Sequence, residues 1–433
     1  MRSTQTNDSA PDALGIVGDE PRRGLQRISR SALLVLSAVG LAFMIAEAAI
    51  RAFGIGKHDF YAYSTIRGWK LRAGATGWQL SEGRAFVRVN RWGYRGDNWS
   101  RIKPIGTLRI AVLGDSFVEA QQLPEQDTAC EILGRELAQM IPLIRARHHP
   151  GLKRIEVMNF GVDGYGTAQE LFTLLEDVWQ FSPDIVVLAF FPGNDIRNNS
   201  AVLEGDKCRP FFVPHGNAVV RGGPFEDSRR FHLQCFLRFE SYRSQLLNAL
   251  GEARSAIRAM RREHRALPSP PPGISRSLEA IAQTVHEPGT NDLIYRPPIN
   301  QDWRDAWKVS EAEIEMTEQN VRARHGLFLL VVIGTGIQVM PDAASQARYL
   351  RLVGATDPLY PSHRLEALAA RKGFAMLDLA RPMTTYAQEH QVYFHGFSNT
   401  VMGTGHWNQL GNRFAAHLIA GKLAATMTPT ESP

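Results

Sequence analysis

Cysteine is scarce: the 433 residues hold three, Cys130, Cys208 and Cys235. So few, with none in a C-x-x-C pair, exclude a disulfide-dense scaffold and a cysteine-rich metal site. In an oxidising compartment Cys208–Cys235 is the more plausible bridge, since both lie in one irregular region; three unpaired small hydrophobes is the competing reading. Excess charge is lacking too. Charged residues make up 21% and the net charge is +6, with no dense Lys/Arg stripe interleaved with aromatics, which argues against a nucleic-acid partner. No histidines fall at ligand spacing with carboxylates or cysteines, so neither a metal nor another cofactor is expected. Internal repeats are missing as well. The run "GVDGYG" follows a strand and opens a helix, but its glycines stand in the order G-x-x-G-x-G and not the dinucleotide order G-x-G-x-x-G.

What is present begins near the N-terminus. Residues 1–31 are polar, with Pro11, Gly15, Gly18 and Pro21, and read as a disordered cytoplasmic tail. "ALLVLSAVGLAFMIAEAAI" at 32–50 then approaches the ~20 apolar residues that cross a bilayer as a helix. Arg22, Arg23, Arg27 and Arg30 precede it, whereas only Arg51 and Lys57 follow closely, so the main domain is expected across the membrane. The expected location is therefore the inner membrane, single-pass, with the folded part on the periplasmic side. Ala46-Glu47-Ala48 has the form of a signal-peptidase site, so a cleaved signal is the rival reading. A core helix is a third, disfavoured because the segment is apolar all round.

Residues 55–105, including "RVNRWGYRGDNW", read as short strands and turns leading into the core. The main domain is expected over 106–430. Apolar runs at 109–113, 155–160, 184–190, 327–333 and 374–379 read as strands, with helices expected at 127–141, 167–180, 305–324, 363–371 and 409–426. This alternation predicts an α/β fold with a parallel sheet covered on both faces. Residues 198–302 break it and read as an insertion holding "SPPPG" at 269–273. Within the insertion "SAIRAMRREHRAL" reads as a basic helix, either a solvated face or a surface for headgroups or an acidic polymer.

Functional groups collect beyond the carboxyl ends of such strands. There the chain places Gly114-Asp115-Ser116, then "NFGVDGYGTAQEL" with Gly161, Gly164 and Gly166, then "FPGNDIRNNS" with Asn194, and finally "GTGHWNQLGN" with His406. Acyl transfer needs these types. A serine hydroxyl is a weak nucleophile until a base takes its proton, and imidazole titrates in the right range. The oxyanion of the tetrahedral intermediate needs donors aimed in advance, which the Ser116 N–H, the Gly164 N–H and the Asn194 amide supply. Taken singly, Ser116 reads equally as a helix cap, with Glu119 completing a capping box, Gly164 and Asn194 as turn residues and His406 as a structural histidine.

Together the four blocks resemble the SGNH (GDSL) hydrolases, of the membrane-anchored bacterial type. The resemblance covers about 105–200 and 303–426. It implies a flavodoxin-like three-layer α/β/α domain with Ser116 as nucleophile, His406 as general base, and Ser116, Gly164 and Asn194 as the oxyanion hole. Asp115 is expected to steady the turn. The family usually has an aspartate two or three residues before the histidine, where this chain has Thr404 and Gly403. Asp378 is a candidate substitute for orienting the imidazole; a backbone carbonyl is the first expectation.

Three functions are weighed. One is an exported serine esterase acting on an ester, O-acetyl on a carbohydrate being one such group. A second is a polysaccharide O-acetyltransferase of the same fold, working with a membrane acyltransferase partner; its alginate-type members usually carry Thr in place of Asp115. The third is a catalytically silent carbohydrate-binding protein, motivated by the missing aspartate.

Overall fold

The computed structural model describes residues 20–52, 60–147, 150–216, 218–241, 291–355 and 357–427, with a few isolated positions between 244 and 250. The "SPPPG" stretch, the basic "SAIRAMRREHRAL" segment and residues 1–19 of the expected tail lie outside them.

One helix spans Glu20–Ala52, and within it Ser31–Ile50 is long and apolar enough to cross a membrane or to serve as a signal sequence. Residues 20–30 continue this helix, a correction to the expected disordered tail. Pro21 stands in its first turn, where the missing N–H costs nothing, and Leu25, Gln26 and Arg27 are good helix formers.

The domain from Lys57 onward is built on a five-stranded parallel sheet. Two antiparallel hairpins come first, β1 (Tyr61–Ser64) with β2 (Gly68–Leu71) and β3 (Thr76–Gln79) with β4 (Ala85–Arg88). The sheet strands are β5 (Thr107–Gly114), β6 (Arg154–Gly161), β7 (Ile185–Phe190), β10 (Leu327–Val332) and β11 (Ala375–Asp378). Their spatial order is β6-β5-β7-β10-β11, the flavodoxin-like arrangement, with its topological switch between β5 and its two neighbours. Between β7 and β10 the insertion contributes the hairpin of β8 (Phe211–His215) and β9 (Ala218–Gly222) and the helix Arg229–Ser241.

Alternation along β5 explains the layers. Ile110 and Val112 point into one core with Val187, Leu329 and Val331, against the helices Ala129–Gln139, Ala380–His390 and Gln409–Thr426. Ala111 and Leu113 point into the other with Phe160, Leu188 and Leu330, against the helix Gln301–Ala323 through Trp307 and Ile314. Strands buried on both faces read as continuous apolar runs because no position meets water.

The N-terminal hairpins are fastened to this core by buried arginines. Arg67 pairs with Asp177 at 2.7 Å, and Arg109 of β5 donates to the Ser100 carbonyl at 2.6 Å. Arg95 donates to the carbonyls of Glu119 and Leu123, on either side of the turn that follows Ser116. The insertion is closed by a disulfide between Cys208 and Cys235, with Cα atoms 5.7 Å apart, while Cys130 is free and buried.

Candidate active site

At the end of β5 the chain turns sharply into a short helix, Ser116–Glu119. Asp115 caps it: the Phe117 N–H donates to its Oδ1 at 2.9 Å, a contact of the kind that stabilises a helix start by about 1 kcal/mol. Ser116 stands at the first helical position, where a backbone N–H has no intrahelical acceptor. Two glycines let this turn lie flat against the neighbouring strand ends. A Cβ on Gly114 would stand 2.4 Å from a Val118 methyl, and one on Gly161 2.3 Å from the Glu119 nitrogen.

His406 arrives from the loop before the last helix. Its Nε2 is 2.8 Å from Ser116 Oγ. Phe117 packs beside the imidazole at 5.3 Å between centroids, and also against Phe191 and Trp407, which sets the floor of the site. His395 steadies the approach: its Nδ1–H donates to the Gly405 carbonyl at 2.7 Å, and burial holds its pKa down to about 4, so the ring is neutral.

The imidazole's other nitrogen meets a carboxylate that no motif announces. Glu82, in the turn between β3 and β4, accepts from His406 Nδ1–H, and its second oxygen accepts from the His406 backbone N–H at 2.7 Å. The turn is clipped in place by Asn399, whose Oδ1 accepts from Gly83 N–H at 2.9 Å while its amide donates to the carbonyls of Leu80 and Gly83. Asp378 is therefore not the orienting group. It ends β11 and accepts from the Ser362 hydroxyl at 2.7 Å. The backbone-carbonyl expectation is corrected as well, because Nδ1 is already taken by Glu82. A local search before the histidine misses Glu82, since its place in the chain lies 324 residues away.

Electrostatics follow from these contacts. Burial opposes charge on His406, but the hydrogen bond and charge of Glu82, with Asp163 and Asp115 further off, push its pKa up to about 9. Burial alone would raise the Glu82 carboxyl; the same partner brings it below its ordinary value. Asp115 is pushed up to about 6 by burial, against the hydrogen bonds it accepts from Asn194 and Phe117.

Gly164 and Asn194 reach the same place from the ends of β6 and β7. Gly164 has φ +71°, a left-handed conformation that glycine takes without strain. The Asn194 amide donates one N–H to Asp115 Oδ2 at 3.0 Å, which fixes its plane. So the "steadying" aspartate holds both the turn and the amide. Ser116, Gly164, Asn194, His406 and Glu82 all line one cavity of about 440 Å³. The insertion supplies part of its wall through Glu204 and Arg209, joined by Arg197 and Asp163, residues that the sequence reading did not single out.

No family model and no curated protein matches the chain. Among solved structures it is similar to an acetyl xylan esterase, AlAXEase, at 12% identity over 74% of this chain and 99% of the other, with a TM-score of 0.34. A lipase/acylhydrolase from Enterococcus faecalis is similar at 12% identity over 75% and 100%, with a TM-score of 0.33. A two-domain esterase active on acetylated mannans is similar at 10% identity over 76% and 51%, with a TM-score of 0.34. Likenesses this distant decide nothing about the site. The chain's own geometry does: a flavodoxin-like parallel sheet gathers Ser116, Gly164, Asn194 and His406 around one cavity, the arrangement that the resemblance to the SGNH hydrolases implies.

Proposed function

We propose that this chain is a serine ester hydrolase of the SGNH type that works through an acyl-Ser116 intermediate. The observation that carries the reading is the hydrogen-bonded line from Glu82 through His406 to Ser116, opening into the cavity at the sheet's switch point. Glu82 keeps the proton on Nδ1, so neutral His406 presents a lone pair at Nε2. Ser116 Oγ attacks the ester carbonyl as its proton passes to Nε2. The oxyanion is held by the N–H groups of Ser116 and Gly164 and the remaining N–H of the Asn194 amide. On collapse the alcohol leaves with the proton from His406, and water, activated in the same way, releases the acid and restores Ser116.

The carboxylate at position 82 removes the main motive for a silent binding protein. Seven of the thirteen residues around the cavity carry charged or amide side chains, which suits a hydrophilic ester such as an acylated carbohydrate. Export through the helix at 32–50, with the domain held outside the cytoplasm, fits the Cys208–Cys235 disulfide, since such bonds persist in oxidising compartments. The test is labelling of the full-length protein by a fluorophosphonate probe, which reports an activated serine without the natural substrate. Labelling that is lost in Ser116→Ala supports the reading, and an unlabelled wild type overturns it.

A further inference from the structure

Ester cleavage by Ser116 and His406 makes no use of the two guanidinium groups in the same cavity. Arg197, on the helix after β7, is matched by Glu204, with Nε and Oε2 3.4 Å apart. Arg209 is not matched. It is only 5% exposed, its Nε and Nη1 have no hydrogen-bond partner, and among the described residues no carboxylate stands within ion-pair distance. What holds it is the face of an aromatic ring and, through its neighbour, a covalent tie. Its Cζ lies 4.8 Å from the centre of the Trp69 ring, and the preceding residue is tied by the Cys208–Cys235 disulfide. Gly68 lets the Cys208 carbonyl pack close, since a Cβ there would come within 1.8 Å of its oxygen.

A buried charge without a partner is costly, and a guanidinium does not escape by losing its proton. Burial and the like charge of Arg197 strain its protonated form, while Glu204 and Asp206 favour it only from a distance. The missing element is an anion, and a planar guanidinium suits a carboxylate, which takes two parallel hydrogen bonds. The charge count favours a single negative charge. Arg197 is already paired, and Asp163 on the same cavity wall, outside ion-pair distance of Arg209, disfavours a dianion.

The geometry points to Arg209, with Arg197 beside it, as a specificity site for a substrate carboxylate, so that the ester cleaved at Ser116 belongs to a carboxylate-bearing molecule such as an acylated uronate glycan. The inference rests on the esterase reading for its turnover but not for its binding.

The experiment uses the full-length protein and three acetylated oligosaccharides of equal length: oligogalacturonate, its methyl ester, and a phosphorylated neutral analogue. Wild type is expected to favour the free acid over the methyl ester by tenfold or more in kcat/KM. Arg209→Gln is expected to bring that ratio close to one, and Arg209→Lys to keep part of it. In parallel, calorimetry measures oligogalacturonate and its methyl ester against Ser116→Ala, with and without Arg209→Gln. Tighter binding of the free acid that depends on Arg209 supports the site even where no ester is turned over, which separates this inference from the esterase reading. Equal binding of acid and methyl ester overturns it, as does a preference for the phosphorylated analogue. The methyl-ester comparison on Ser116→Ala protein decides the matter if Arg209→Gln fails to fold.

Discussion

Glu82 and His406, 324 residues apart, share two hydrogen bonds: the imidazole Nδ1–H and the backbone N–H of one histidine meet the two oxygens of one carboxylate. Such a bidentate hold fixes the ring's position and tautomer together. Replacing it with Glu82→Gln keeps the shape but removes the charge that stabilises the imidazolium in the transition state. We expect kcat to fall by about 100-fold or more, with KM little altered. Steady-state kinetics on p-nitrophenyl acetate measures this; a Glu82→Gln enzyme with wild-type kcat removes Glu82 from the mechanism.

The same pair sets the pH dependence. The general base must be neutral, and the His406 pKa is raised to about 9, so kcat/KM should climb through neutral pH and level off only near 9. In Glu82→Gln the rising limb should move down toward the ordinary imidazole value of about 6.5. The sign for stability runs the other way. A raised pKa favours the folded state fully below about 6.5 and loses that contribution as pH rises through about 9, so the melting temperatures of wild type and Glu82→Gln should converge in alkali. A limb unmoved by the substitution contradicts this account.

Removing the nucleophile or the base should abolish turnover, so Ser116→Ala and His406→Ala are both expected to be inactive. Asn194→Ala loses one oxyanion donor and should slow kcat by about 100-fold. Asp115→Asn should reproduce part of that loss, because Asp115 Oδ2 holds the Asn194 amide at 3.0 Å. Pre-steady-state acylation rates separate the donors from the nucleophile.

Gly405→Ala offers a steric test of the Glu82 contact. Its Cβ would stand 2.2 Å from Glu82 Oε1, on a backbone with φ +74°. The expected result is a loss of about 1 kcal/mol or more in stability from the left-handed backbone, together with the lowered pH limb of Glu82→Gln. A variant whose pH profile matches wild type shows that the carboxylate does not govern the base.

The disulfide closes a separation of 27 residues. Chain entropy assigns such a loop about 3.5 kcal/mol. Cys208→Ser with Cys235→Ser should lower urea-unfolding stability by about that amount, and it should weaken selection for a substrate carboxylate, because Arg209 follows Cys208 directly. Unaltered stability would mean that the two thiols are not joined in the folded protein.

Much of the fold is legible in the chain because its strands are buried on both faces. Runs such as Ile110–Leu113 and Ile185–Phe190 carry continuous apolar character that few other structures need, and the helix Gln409–Thr426 follows its Asn408 cap residue for residue. Among the helices that escaped that reading, two flank the sheet's last strands. Ala343–Leu352 buries only Leu350, and eight of the eleven residues of Ala380–His390 are alanine, threonine or polar, so each offers few large apolar side chains to read. The helix expected from 305 begins at Gln301, capped by Asn300, whose side chain accepts from Trp303 N–H.

By itself the sequence determined the order of the four blocks and their places at strand ends. Those are local properties: an apolar run, a glycine where a turn must pass close, a helix that follows. Which carboxylate turns toward His406, and which guanidinium is left without one, was decided only by the tertiary structure. Glu82 sits in a polar hairpin turn and Arg209 in an irregular stretch, and neither carries a periodic signal. Their roles are distances between segments far apart in the chain, and such distances exist only once the two faces of the sheet have been covered.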